Sequence, residues 1–129
     1  MAAVTLRGAR IGDLLPRRLM DRARARRIDA TAVLVPGVGG CSPRVEEWQT
    51  LADEFAAWDG RVIVAEPDGQ PVHRLLVVDR YGQVYAVHDA ADPADLPDGH
   101  ALAEWFRFLA TACPECGVLD DPLLTGPTP

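Results

Sequence analysis

No stretch of this 129-residue chain approaches the ~20 consecutive apolar residues needed to span a bilayer. Met1 to Leu15 also lacks the apolar core of a secretory signal, because Arg7, Arg10 and Asp13 interrupt it. Together these absences make an intracellular, cytoplasmic protein with no membrane partner the expectation. Lysine is missing: all thirteen basic residues are arginine. With Ala, Pro and Gly abundant, that suggests a GC-rich genome and nothing more. Only three cysteines are present, an odd number that closes no disulfide framework. A reducing compartment suits them as thiols, a catalytic pair or metal ligands. Three familiar signatures are absent as well: the phosphate-cradling G-x-x-x-x-G-K-S/T, a G-x-G-x-x-G after a strand, and G-x-S-x-G.

What is present is one domain's worth of chain with an uneven charge. Residues 1–40 hold eight Arg against three Asp, a net of +5, and residues 41–129 hold five Arg against sixteen acids, a net of −11. A body this acidic argues against a nucleic-acid partner.

The most informative stretch runs from Thr31 to Trp48. Ala32 to Val35 is an apolar, largely β-branched run that reads as a buried strand. Pro36, Gly37, Gly39 and Gly40 break it, and Cys41 follows at once. Ser42 is a good N-cap and Pro43 a good first helical residue. A helix beginning there sets the Cys41 sulfur near free N–H groups and the positive end of a helix dipole, where a thiolate is favoured. On this reasoning the thiol pKa of Cys41 should fall below the ~8.5 of a free cysteine. Arg44, in the first turn, is a candidate to stabilise that thiolate or a bound anion. Glu46 and Glu47 oppose it by raising the thiol pKa.

Before this stretch, residues 4–12 read as a short strand with a turn at Gly8. An amphipathic helix follows, with Leu15, Leu19, Met20 and Ala23 on one face and Arg17, Arg18, Arg22, Arg24, Arg26 and Arg27 on most of the rest. It reads either as a solvated packing helix or as an anion- or partner-binding one. After it, Val45, Trp48, Leu51, Phe55 and Ala56 recur at helical spacing from Pro43 to about Trp58, and Asp59-Gly60 ends the helix. Arg61–Glu66 is a second buried strand, parallel to the first by the βαβ rule. Leu75–Asp79 and Val84–His88 form a hairpin. A final helix from about Asp98 to Cys113 sets Leu102, Trp105, Phe106 and Leu109 on one face. The expected organisation is residues 1–29 as N-terminal strand and Arg-rich helix, 30–117 as core, and 118–129 as a proline-bearing tail.

Two cysteines remain, in Cys113-Pro-Glu-Cys116-Gly117. They read as a redox pair able to resolve an oxidised Cys41, as metal ligands, or as a core residue and a cap. A structural zinc needs four ligands, and the chain offers no second knuckle, so either two copies contribute one knuckle each or His100 and Cys41 join the pair if the fold brings them close. No other cofactor is called for. His73 and Arg74, just before the hairpin strand, read either as surface residues or as groups that reach the Cys41 end of the sheet, with the surface reading favoured, and His88 and His100 read as structural or surface residues.

The order strand, Cys-led helix, strand, hairpin and helix resembles the thioredoxin/peroxiredoxin-like (redoxin) superfamily. Val33 to Arg44 looks like a redoxin active-site loop, and Leu75 to Val84 is similar to that family's hairpin. The resemblance covers residues 30–117 and implies an α/β, thioredoxin-like sheet with flanking helices. It implies a thiol-based redox protein, acting on a peroxide or thiol substrate, with Cys41 attacking. The departures are specific. Arg44 stands where a thioredoxin has its second cysteine, and Val38 stands where a peroxiredoxin has threonine. The family's cis-proline place falls near His73, with Pro71 two residues early. Too few residues separate Glu66 from His73 for the usual crossover helix, so that helix should be missing or shortened. One sheet face would then need cover, either from a second copy in a homodimer or from the segment around residues 14–27. The alternative function is a catalytically degenerate redoxin-like domain that binds, without turnover.

Overall fold

The computed structural model describes residues 5–15 and 30–111. The Arg-rich segment 16–29, Cys113, Cys116 and the tail lie outside the described residues. Four apolar runs pair into one sheet: β1 (Ala30–Val35), β2 (Gly60–Val64), β3 (His73–Val78) and β4 (Val84–Ala90), in the order β2-β1-β3-β4. β1 runs parallel to β2 and antiparallel to β3, and β3 runs antiparallel to β4. That is a thioredoxin-like sheet. Residues 65–72, between β2 and β3, contain no helix, so the crossover helix is missing as the residue count requires.

Helices α1 (Ser42–Thr50), α2 (Ala52–Ala57) and α3 (Gly99–Thr111) join a short 3-10 turn, η1 (Pro93–Asp95). Periodicity alone predicts one helix from Pro43 to Trp58, whereas the chain breaks it at Leu51. The Thr50 hydroxyl donates to the Glu47 carbonyl at 2.6 Å, and the Leu51 N–H turns to the Trp48 carbonyl at 3.0 Å. A Ser or Thr side chain that competes for a helix carbonyl bends the helix in this way. Trp48 and Phe55, one on each side of the break, both become fully buried. The last helix starts where expected: Asp98 Oδ1 accepts from the Ala101 N–H at 2.8 Å.

The helices cover one sheet face. Ala32, Leu34, Leu75 and Val77 meet Trp48, Phe55, Leu102 and Phe106 there. Gly60 permits a close contact between sheet and helix, because a Cβ built on it would lie 2.3 Å from the Phe106 ring. The opposite face presents Val33, Leu76, Val78 and Val84, and the N-terminal segment supplies Leu6, Ala9 and Leu15 to it. Sequence reasoning expects residues 14–27 or a partner to cover that face, and residues 5–15 already lie on it. They run through turns rather than the expected strand, and Leu14 makes one isolated bridge to Gln83. Two arginines tie the segment down. Arg7 donates to Asp68 and to the Val72 carbonyl, each at 2.6 Å. Arg74 pairs with Asp89 at 2.8 and 2.9 Å and donates to the carbonyls of Arg7 and Ala9.

The hairpin turns on Asp79, which is buried and accepts from the N–H groups of Tyr81 and Gln83 through Oδ1 at 2.8 and 2.9 Å. Burial pushes its carboxyl above the usual carboxylate range. A raised native pKa means that folding favours the protonated form, so ionisation as pH rises through that value costs stability.

Three outcomes follow for stability, all read by denaturant unfolding. Asp79→Asn keeps the acceptor and removes the buried charge, so at neutral pH it should equal or exceed the parent. Asp79→Ala should lose about 1–3 kcal/mol by leaving two N–H groups unpaired. Gly60→Ala should lose about 1–3 kcal/mol through overpacking against Phe106.

Candidate functional site

At the carboxyl end of β1 the chain leaves the sheet through Pro36 and turns on Gly39 and Gly40, whose φ values are 90° and 71°. Three contacts pin this loop to the link before β3. The Gly37 N–H donates to His73 Nδ1 at 2.8 Å, and the Val38 N–H donates to the Gln70 carbonyl at 2.7 Å. The third is a close approach: a Cβ on Gly37 would lie 2.5 Å from the Gln70 carbonyl oxygen. Only glycine fits there. His73 is 1% exposed, a buried loop anchor rather than the surface residue its sequence context suggests. It opens β3 with no cis peptide bond anywhere among the described residues.

Cys41 is the residue immediately before α1, with φ −131° and ψ 29°, and its carbonyl accepts from the Val45 N–H at 3.0 Å. The helix therefore starts one residue earlier than the Ser42 cap predicts, with Pro43 still in its first turn. The thiol makes no capping hydrogen bond to the helix. It is 4% exposed, and burial pushes its pKa up. This corrects the low-pKa expectation for Cys41. The backbone supplies the helix start, but the thiolate would be taken out of water.

Arg44 is turned away from that role. Its guanidinium pairs with Glu47 and donates to the carbonyls of Pro93 at 3.2 Å and Ala94 at 2.8 Å. The other Glu47 oxygen accepts from the Gly99 N–H at 2.6 Å. Arg44 and Glu47 thus clamp α1 to η1 and to the start of α3. Arg74 serves the N-terminal segment, as described above. The structure brings His73 to the Cys41 loop and leaves Arg44 and Arg74 engaged elsewhere.

A cleft of about 440 Å³ opens beside Cys41, between the start of α1 and the end of β2. Val45, Val64 and Pro67 give it apolar walls, Cys41 lines it, and Glu46 and Glu66 are its two charged groups. Both glutamates are exposed, and among the described residues neither has an ion-pair or hydrogen-bond partner. Sequence reasoning singles out Glu46 for its effect on the thiol but passes over Glu66 and Pro67, because their approach to Cys41 exists only once β2 pairs with β1. Among the described residues no group of three His, Cys, Asp or Glu side chains could hold a metal. Cys113 and Cys116, the candidate resolving pair or zinc ligands, lie outside the described residues. Among the described residues no helix is long and apolar enough to cross a membrane.

The clamp makes a direct prediction. Arg44→Ala should cost about 1–3 kcal/mol in denaturant unfolding, since it strips partners from Glu47 and two carbonyls. The alkylation rate of Cys41, followed by peptide-resolved mass spectrometry under native conditions, should not fall. A marked slowing would mean that Arg44 does hold a thiolate.

The sequence matches no protein-family model, no curated protein and no solved structure.

Proposed function

We propose that this chain is a divergent, redoxin-like domain that works as a binding module. Its cleft beside Cys41 receives a ligand, and the thiol takes no part in turnover. One observation carries this reading: Cys41 is buried, with its pKa raised, where a redox cysteine needs a low pKa and access. The engagement of Arg44 with Glu47, Pro93 and Ala94 supports it, since that cation is spent on packing. So does the character of the cleft, whose charged groups are carboxylates and would repel a thiolate or a peroxide anion. The rival is peroxide reduction or thiol–disulfide exchange with Cys41 attacking and Cys113 or Cys116 resolving. Its support is the place of Cys41 between a strand and a helix start.

Turnover assays separate the two. Hydrogen peroxide consumption and insulin-disulfide reduction, each with dithiothreitol as donor, should run no faster with the protein than with its Cys41→Ala variant. A rate above background that disappears in Cys41→Ala would establish the redox reading.

A further inference from the structure

We propose that His73 is a pH-sensitive latch on the loop that leads to Cys41. The neutral ring holds the loop closed, and a proton on Nδ1 releases it. Such a latch stands apart from the binding reading and operates whichever function the cleft serves. One bond carries it: the Gly37 N–H donates to His73 Nδ1 at 2.8 Å. A backbone N–H only donates, so Nδ1 offers its lone pair, and the neutral ring carries its hydrogen on Nε2. A second proton can go only to Nδ1. The imidazolium then has two donors and no acceptor, so the bond to Gly37 is lost and two N–H groups face each other.

The surroundings decide what gives way. His73 is 1% exposed and alternates along β3 with Leu75 and Val77, which lie in the core beneath the helices. Among the described residues its ring has no ion pair and no hydrogen-bond partner besides Gly37. The charged groups on the neighbouring elements are engaged with one another. Asp68 of the link pairs with Arg7, Asp89 of β4 with Arg74, and Arg44 of α1 with Glu47, while Asp92 accepts from the Ala94 N–H. Glu66 of the link, His88 of β4, Asp95 of η1 and the Cys41 thiol make no bond to the ring. A charged ring at this place therefore needs water, and water enters where the structure can open. β3 is paired on both sides and stays put. The loop can move: it turns on Gly39 and Gly40 at positive φ and leaves Val38 exposed. Its other hydrogen bond to the link runs from the Val38 N–H to the Gln70 carbonyl. Histidine is the side chain that ordinarily changes charge between about pH 5 and pH 8, so mild acid works the latch. The loop runs directly into Cys41, which is 4% exposed while the loop is closed.

The test follows the full chain by NMR as the pH is lowered from about 7.5 to about 5. Nitrogen labelling of the three histidines reports the tautomer and protonation of each ring. His73→Asn identifies the His73 signal; its carbonyl oxygen is an acceptor near the place of Nδ1 and does not titrate. At the starting pH His73 should show the Nε2–H tautomer. As its ring protonates, hydrogen-exchange protection of the Gly37 amide, corrected for the intrinsic pH dependence, should fall about tenfold. The amides of Val33 and Leu34, in a strand paired on both sides, should keep theirs. Reaction of Cys41 with dipyridyl disulfide, a reagent that stays active in acid, should speed up relative to glutathione at the same pH. In His73→Asn neither change should occur. An Nδ1–H tautomer at neutral pH would overturn the latch, as would a ring still neutral at about pH 5. Gly37 protection that ignores the ring's protonation would overturn it, and so would protonation that comes only as β1 itself loses protection. Should His73→Asn fail to fold, the tautomer and the Gly37 protection of the parent chain decide the matter alone.

Discussion

Eight residues, 65–72, carry the chain from β2 past β1 to β3, and the rest of the molecule answers to that short link. At roughly 3.4 Å per residue it has reach to spare for crossing one strand of about 4.8 Å spacing, but no length for a packed helix. One face of the sheet therefore loses its usual cover, and Leu6, Ala9 and Leu15 supply it. The same link lies against the loop after β1, with the Gln70 carbonyl held to Val38 and crowding Gly37, and His73 receiving the Gly37 N–H. The loop that bears Cys41 is thus clasped from the β3 side and open on the β2 side, where the cleft lies.

That clasp decides the character of the cysteine through a contest of magnitudes. A helix start favours an anion by about 0.3–1 kcal/mol near the surface. Removing a charged group from water costs several kcal/mol unless a partner compensates. Cys41 has the helix start without a capping hydrogen bond, and Arg44 is occupied by Glu47 and two carbonyls. Desolvation wins, and the neutral thiol is the favoured form.

Much of the fold was legible because its signals are local. The β-branched runs of β1 and β3, the Asp59-Gly60 stop, the Asp79-to-Gly82 turn and the apolar stripe of α3 each declare themselves within a few residues. Counting residues between Glu66 and His73 was enough to foresee the missing helix. The site was less legible because it is made of long-range contacts. Position after a glycine turn locates Cys41 at a helix start and says nothing of its burial, which depends on elements as far away as α3. Arg44 reads as a free cation until η1 and Gly99 arrive beside it. His73 reads as a surface residue because the Gly37 N–H that its Nδ1 accepts from belongs to a loop 36 positions earlier. The break at Leu51 needs only Thr50 and Glu47, yet periodicity cannot see a hydroxyl competing for a carbonyl.

The central claim is that Cys41, beside the cleft, is a neutral, buried thiol. The 13Cβ chemical shift of Cys41, followed against pH in protein labelled at cysteine, reports the protonation state of that sulfur alone and without chemical modification. The account predicts a thiol signal that persists through neutrality and titrates only above the ~8.5 of an unperturbed cysteine. A thiolate signal at neutral pH would contradict it and return Cys41 to the role of a nucleophile.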